Sequence, residues 1–203
     1  SVDAVTGFNA GDTILMIQMK GAQIDQSNSA AFGTISDYGN AGNYEFNVIQ
    51  SVAGNNITLL YTLTNDYDIP DGKVQFVRVP YFQNYTVSQT HTALAWNGNK
   101  GGVFAVNVAG TLTLDADIDV SGYGFRGGSV SPNAYPGCSS MDYFYPSGSG
   151  LGGWKGESIT ELPSAFASGR GAAANGGGGG NNHNAGGGGG ANFGSGGRGG
   201  DQW

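Results

Sequence analysis

Charge is what this sequence has least of. Asp, Glu, Lys and Arg make up 11% of its residues, against about 25% in ordinary soluble domains. Lysine occurs only as Lys20, Lys73, Lys100 and Lys155. The eight Lys and Arg stand singly and the net charge is −7, so the clustered cations that hold a phosphate backbone are missing and nucleic acid is a poor partner. One cysteine, Cys138, permits no internal disulfide. No run approaches the ~18 consecutive apolar residues of a membrane-spanning helix. Long helical periodicity is missing too, and so are the catalytic signatures Gly-x-Ser-x-Gly, His-Glu-x-x-His and the Gly-Lys-Ser/Thr phosphate loop. His91 and His183 stand alone in sequence. The expectation is a protein that is not an enzyme and needs no cofactor.

Glycine is what the chain has most of. Of 39 glycines, 27 lie after residue 120, and 15 of the 25 residues from 176 to 200 are glycine. Two five-glycine blocks, 176–180 and 186–190, are parted by Asn181-Asn182-His183-Asn184-Ala185, and Arg170, Phe193, Arg198 and Trp203 punctuate the rest. Glycine has no side chain to bury and loses the most backbone freedom on ordering. The stretch is therefore either a solvated linker or extended backbone packed against backbone. Glycine at every third position is not kept and proline is absent from the tail, which removes collagen.

Residues 1–90 read as an antiparallel β domain. Thr13 to Met19 is a near-continuous apolar run of strand length, Tyr44, Phe46 and Val48 alternate with polar neighbours, and Ile57 to Leu63 follows a Gly-Asn-Asn turn. Val74 to Val79 is a further strand, stopped by Pro80. The pattern predicts a small sandwich or barrel with Ile14, Leu15, Ile17, Phe46, Val48, Ile57, Leu59, Phe76, Val77 and Val79 in its core. Residues 91–128 carry short strands of the kind found in β-solenoid coils; over 111–120, Leu112, Leu114, Ala116, Ile118 and Val120 share one face. Residues 129–170 form a loop-rich insertion with aromatic residues Tyr135, Tyr143, Phe144, Tyr145 and Trp154 and one short helical turn between Glu157 and Ala167. Residues 171–203 are the glycine-rich segment. The fold class is all-β, a sandwich or barrel followed by solenoid-like strands and a polyglycine-like extension.

Three site readings follow. Gly122-Tyr123-Gly124-Phe125-Arg126-Gly127 has the spacing of a dinucleotide fingerprint, but Gly128, Ser129, Ser131 and Pro132 follow where a helix must open, so a tight turn is the better account. Asp115, Asp117 and Asp119 set three carboxylates about 7 Å apart on one strand face. They form a solvated polar face or, in the alternative, a calcium site that relieves their repulsion. Tyr81, Tyr85, Trp96 and Trp154 are the aromatics suited to stack on sugar rings.

Several phrases carry a family resemblance: Gly11 to Ala22, Ala41 to Phe46, Val74 to Pro80, Trp96-Asn97-Gly98, Gly124 to Gly128, Lys155-Gly156-Glu157, and the paired glycine blocks from Asn175 to Gly190. In these the chain resembles the secreted cell-surface adhesin-like proteins of gliding Bacteroidota, the cargo of the type IX secretion system. The resemblance implies an extracellular, cell-surface protein with a structural and adhesive role in attachment or gliding motility. Its implied partners are the type IX translocon or surface-anchoring components, a substratum or glycan, and a second copy of itself. Asp12-Thr13-Ile14 is similar to the short O-glycosylation motif of this group, though a strand opened by a turn aspartate explains it as well. The chain starts without a basic and apolar leader and stops within its glycine pattern, so it reads as a piece of a longer protein. The alternative function is a carbohydrate-binding module. Ice or mineral binding would need ranks of threonine, and only Thr111 and Thr113 are so placed.

Overall fold

The structure is a computed structural model that describes residues 2–131, 141–181, 185–192 and 196–200. The fold is all-β, and no α-helix occurs among the described residues. In chain order the strands are β1 (Thr13–Gln18), β2 (Gln23–Ile24), β3 (Ile35–Asp37), β4 (Tyr44–Ala53), β5 (Asn56–Leu59), β6 (Val74–Arg78), β7 (Tyr81–Phe82), β8 (Tyr85–Val87), β9 (Asn107–Val108) and β10 (Leu112–Leu114). Two compact units share them, one of residues 1–19 and 42–124, the other of 20–41 and 125–203. The sequence boundaries at 90, 128 and 170 therefore do not mark the units. The early segment 20–41 joins the glycine-rich half, because Phe32 carries an aromatic side chain that the glycines lack and packs with Tyr143, Phe144 and Phe166.

The first unit holds an antiparallel sheet in the order β5-β4-β1-β6. Its central strand β1 pairs Leu15 with Phe46 on one side and with Val77 on the other. A strand enclosed on both faces should read as continuous apolar sequence, and Ile14, Leu15 and Met16 are all buried. On β4 the alternation is inverted relative to expectation. Phe46 is 58% exposed, whereas Asn47 and Ile49 are buried. Asn47 belongs inside because its amide replaces a missing strand: Nδ2 donates to the Tyr61 carbonyl at 2.9 Å and Oδ1 accepts the Tyr61 N–H at 3.1 Å. Gln18 does the same work against Asp68, and Gln75 against Gly101. Asn47 and Gln75 are satisfied by a loop backbone, and Gln18 by the Asp68 N–H and the Asp68 carboxylate, as burial of a polar group demands.

Beyond β6 the chain makes two parallel passes. Tyr81 pairs with Asn107, Tyr85 with Leu112, and His91 with Ile118, offsets of 26, 27 and 27 residues. The Trp96 N–H donates to the Tyr123 carbonyl at 2.8 Å, one residue beyond the register in which Tyr85 donates to Thr111 and His91 to Asp117. Along the first pass Phe82, Tyr85, His91 and Phe104 stack with centroids 4.3, 5.8 and 6.0 Å apart. This stack fills the space that short strands cannot fill with aliphatic residues.

In the second unit β2 pairs with β3. Ile24, Phe32 and Ala173 are buried together, with Phe144 and Phe166 packed around them. The helical turn expected between 157 and 167 is a single 3-10 turn, Ser164–Phe166, entered from Pro163.

Candidate functional surface: the glycine-packed unit

The glycine blocks bond laterally in a three-residue rhythm. Gly177 and Gly180 accept from Gly156 and Gly153, Gly178 accepts from Gly188, and the Gly179 N–H donates to Gly169. Successive residues of 176–180 thus point to three different neighbours, and every third points the same way. That is the symmetry of a polyproline II-type chain, three residues per turn with no internal hydrogen bonds, and not of a pleated strand with its period of two. None of the described glycines from 176 to 200 has a positive φ. Their requirement for glycine is steric. A Cβ on Gly179 would stand 1.9 Å from the Gly153 carbonyl oxygen, on Gly178 2.2 Å from that of Arg170, and on Gly196 1.9 Å from that of Gly189. Bare backbone is the packing surface, so the extended-backbone expectation describes this segment and the linker does not.

Lys155 ties this packing to its aromatic cover. Its ammonium is buried and donates to the carbonyls of Tyr143, Gly169 and Gly171 at 2.7, 2.9 and 2.5 Å, with the Phe32 ring centroid 4.8 Å away. Three donors meet three acceptors, which is the full capacity of the group. Burial pulls its pKa down from 10.5 to about 7, while the carbonyls and the ring face favour the proton. Arg170 lies over the Tyr143 ring at 4.1 Å and donates to the Met141 carbonyl, and its buried Nε has no hydrogen-bond partner among the described residues. Asn181 holds the same corner, accepting the Arg170 N–H at 2.7 Å and donating to the Asp142 carbonyl at 2.6 Å. A groove of about 600 Å³ runs among the glycine segments, and Arg170, Asn175 and Asn181 supply its polar side chains.

The sugar-stacking candidates are dispersed. Tyr81 is exposed and Tyr85 is half-buried within the aromatic stack, its hydroxyl 2.5 Å from His91 Nε2. Trp96 is only 4% exposed, so no sugar ring can reach its face. Trp154 is partly exposed and belongs to the second unit. Asp115, Asp117 and Asp119 are exposed, and hydrogen bonds from the hydroxyl and then the amide of Ser121 hold the Asp119 carboxyl below its usual range. Among the described residues no three His, Cys, Asp or Glu side chains converge as a metal-ligand set. The glycine fingerprint at 122–127 opens no helix and runs through turns and bends. Tyr135, Cys138, His183, Phe193 and Trp203 lie outside the described residues.

Sequence reasoning passed over Lys155 as a site, quoting it only within a motif. Its signal was a solitary lysine set between Trp154 and Gly156 in a lysine-poor chain. Among the described residues no helix is long and apolar enough to cross a membrane. Compared with family models, with curated proteins and with solved structures, the chain has no match.

Proposed function

We propose that the chain is a structural and adhesive part of a large secreted bacterial surface protein, delivered by the type IX secretion system and acting in attachment or gliding. The observation that carries this reading is the glycine unit, in which a low-charge sequence is committed to backbone packing, Gly188 donating to Gly178 and Gly189 to Gly197. Such packing is chemically plain, with few charged side chains. It suits the display of a surface better than the enclosure of a substrate, which calls for an apolar pocket with a few convergent polar groups. In this reading the four-stranded sheet belongs to a sandwich or barrel, and the two parallel passes are coils of a β-solenoid. The cell-surface location, the translocon or anchoring components as partners, and a substratum or glycan as target rest on the phrases shared with the adhesin-like cargo proteins.

The test is adhesion of beads coated with the chain, pulled from bare glass and from glycan-coated glass. Adhesion to both surfaces, unaffected by free monosaccharides, is the expected result. A second reading, a carbohydrate-binding module, is favoured by the exposed ring of Tyr81 beside the aromatic stack. Adhesion confined to one glycan and abolished by its free sugar would replace the first reading with the second.

A further inference from the structure

The two parallel passes of the first unit differ in what covers them. Val87 on the first pass and Leu114 on the second occupy the same register position. Val87 is 0% exposed, whereas Leu114 is 60% exposed. The same contrast separates Ala93, buried, from Val120, exposed, one 27-residue offset further along. The apolar row that is closed over the first pass is therefore open over the second.

The backbone beneath that row is open as well. Among the described residues β10 has β8 as its one neighbour in the sheet. The Thr111 carbonyl accepts from Tyr85 and the Asp115 N–H donates to Val87. Because alternate residues of a strand in a parallel pair aim their N–H and C=O to opposite sides, Leu112 and Leu114 direct theirs away from the first pass. An uncovered edge of this kind is a template for another strand.

The residues that follow β10 state what that strand should carry. Asp115, Asp117 and Asp119 lie at and beyond a bend at 115–116, and all three are exposed. At one offset earlier the first pass has Ser88, Thr90 and Thr92, which bring no charge of their own. A second copy of the acidic pass would set carboxylate beside carboxylate, which is destabilising between neighbouring strands, and the net charge of −7 works in the same direction.

We propose that the outer edge of β10, with the acidic stretch that follows its bend at 115–116, is a docking site for an extended strand of a basic partner protein. Aliphatic side chains of that strand lie over Leu112 and Leu114, and Lys or Arg beyond them meet the three aspartates. Main-chain hydrogen bonds supply the attachment, and the aliphatic and charged contacts supply register and choice of partner.

A short, end-blocked peptide of alternating valine and lysine is the probe, with valine–glutamate and glycine–lysine peptides beside it, titrated against the full chain by calorimetry. The expected result is saturable binding of the valine–lysine peptide alone, with slowed amide exchange at Leu112 and Leu114. Leu114→Asp, at an exposed position, should weaken it by about tenfold or more, and Asp117→Lys should shift preference toward valine–glutamate. Three results would overturn the proposal: no saturable binding, equal binding of the glycine–lysine peptide, or a dimer of the chain that Leu114→Asp dissociates.

Discussion

Gln75 holds Gly101 by both of its backbone groups. The side-chain Nε2 donates to the Gly101 carbonyl at 3.0 Å, and the Gly101 N–H donates to Oε1 at 2.8 Å. The pair is buried, and it fastens the loop at 101 to β6 where no strand is available. Gly101 can take this place because its φ of +109° and the Ala95 carbonyl oxygen, 2.4 Å from where a Cβ would stand, exclude every other residue.

Gln75→Leu should therefore lower stability by about 2 to 4 kcal/mol, since two buried backbone groups lose their partner while the side-chain volume is kept. Gly101→Ala should cost a similar amount through strain. Urea unfolding measures both, and an unchanged midpoint for Gln75→Leu would show that water replaces the amide at no cost.

Gly179→Ala and Gly197→Ala form a matched contrast in the glycine unit. The first places a methyl group 1.9 Å from the Gly153 carbonyl oxygen, and the second meets nothing within 4 Å. Overpacking of this kind costs about 1 to 3 kcal/mol or more, so Gly179→Ala should lower the melting temperature by several degrees and Gly197→Ala should leave it near the wild-type value. Equal tolerance of both would mean that the segments do not pack.

Replacement of Lys155 by Met removes three hydrogen bonds and a charge. The Tyr143 carbonyl keeps the Gly171 N–H and the Gly169 carbonyl keeps the Gly179 N–H, so the Gly171 carbonyl bears most of the loss. Loss of these hydrogen bonds should speed amide exchange at Gly169, Gly171 and Gly179. Exchange at Gly153 and Gly188 should change less.

The same lysine makes stability depend on alkaline pH. Its pKa is about 7 in the folded chain and 10.5 when unfolded. Between these values the unfolded chain holds the proton and the folded chain has released it. Stability contributed through Lys155 should thus rise as pH rises from 7 to 10.5 and stay flat below 7. The limiting slope is about 1.4 kcal/mol per pH unit. Chemical unfolding across that range measures it, and subtraction of the Lys155→Met profile isolates the contribution. A flat profile from pH 7 to 10.5, with stability falling above 10.5, would mean that the three carbonyls outweigh burial.

Amide exchange across the glycine unit tests the packing directly. Protection is expected at Gly156, Gly179 and Gly188, whose N–H groups donate to neighbouring segments. Uniformly fast exchange there would return the segment to a flexible tether.

Parts of the fold were legible because their signal is local. The apolar run of Thr13 to Met19 reads as a strand, and β1 is that strand. Pro163 marks the 3-10 turn that follows it. The face of β4 was not legible. Phe46 and Val48 are the apolar members of the alternation, yet Asn47 is buried, since its amide bridges to Tyr61, a partner that no periodicity reveals. The aromatic candidates were chosen by residue type, and Trp96 shows why type alone misleads. Its ring is inside, packed where the two parallel passes meet the Tyr123 carbonyl.

By itself the sequence determined that this chain would be all-β and that its glycine blocks were either a solvated linker or bare extended backbone. Both follow from local chemistry: the spacing of apolar residues, the missing helical period and the missing Cβ. Tertiary structure decided the rest. The 27-residue offset that sets Leu114 beside Val87, the enclosure of Lys155 by three carbonyls, and the three directions in which 176–180 bonds depend on segments far apart in the chain. Glycine carries no side chain to encode a partner, so which glycine meets which is settled only when the backbones come together.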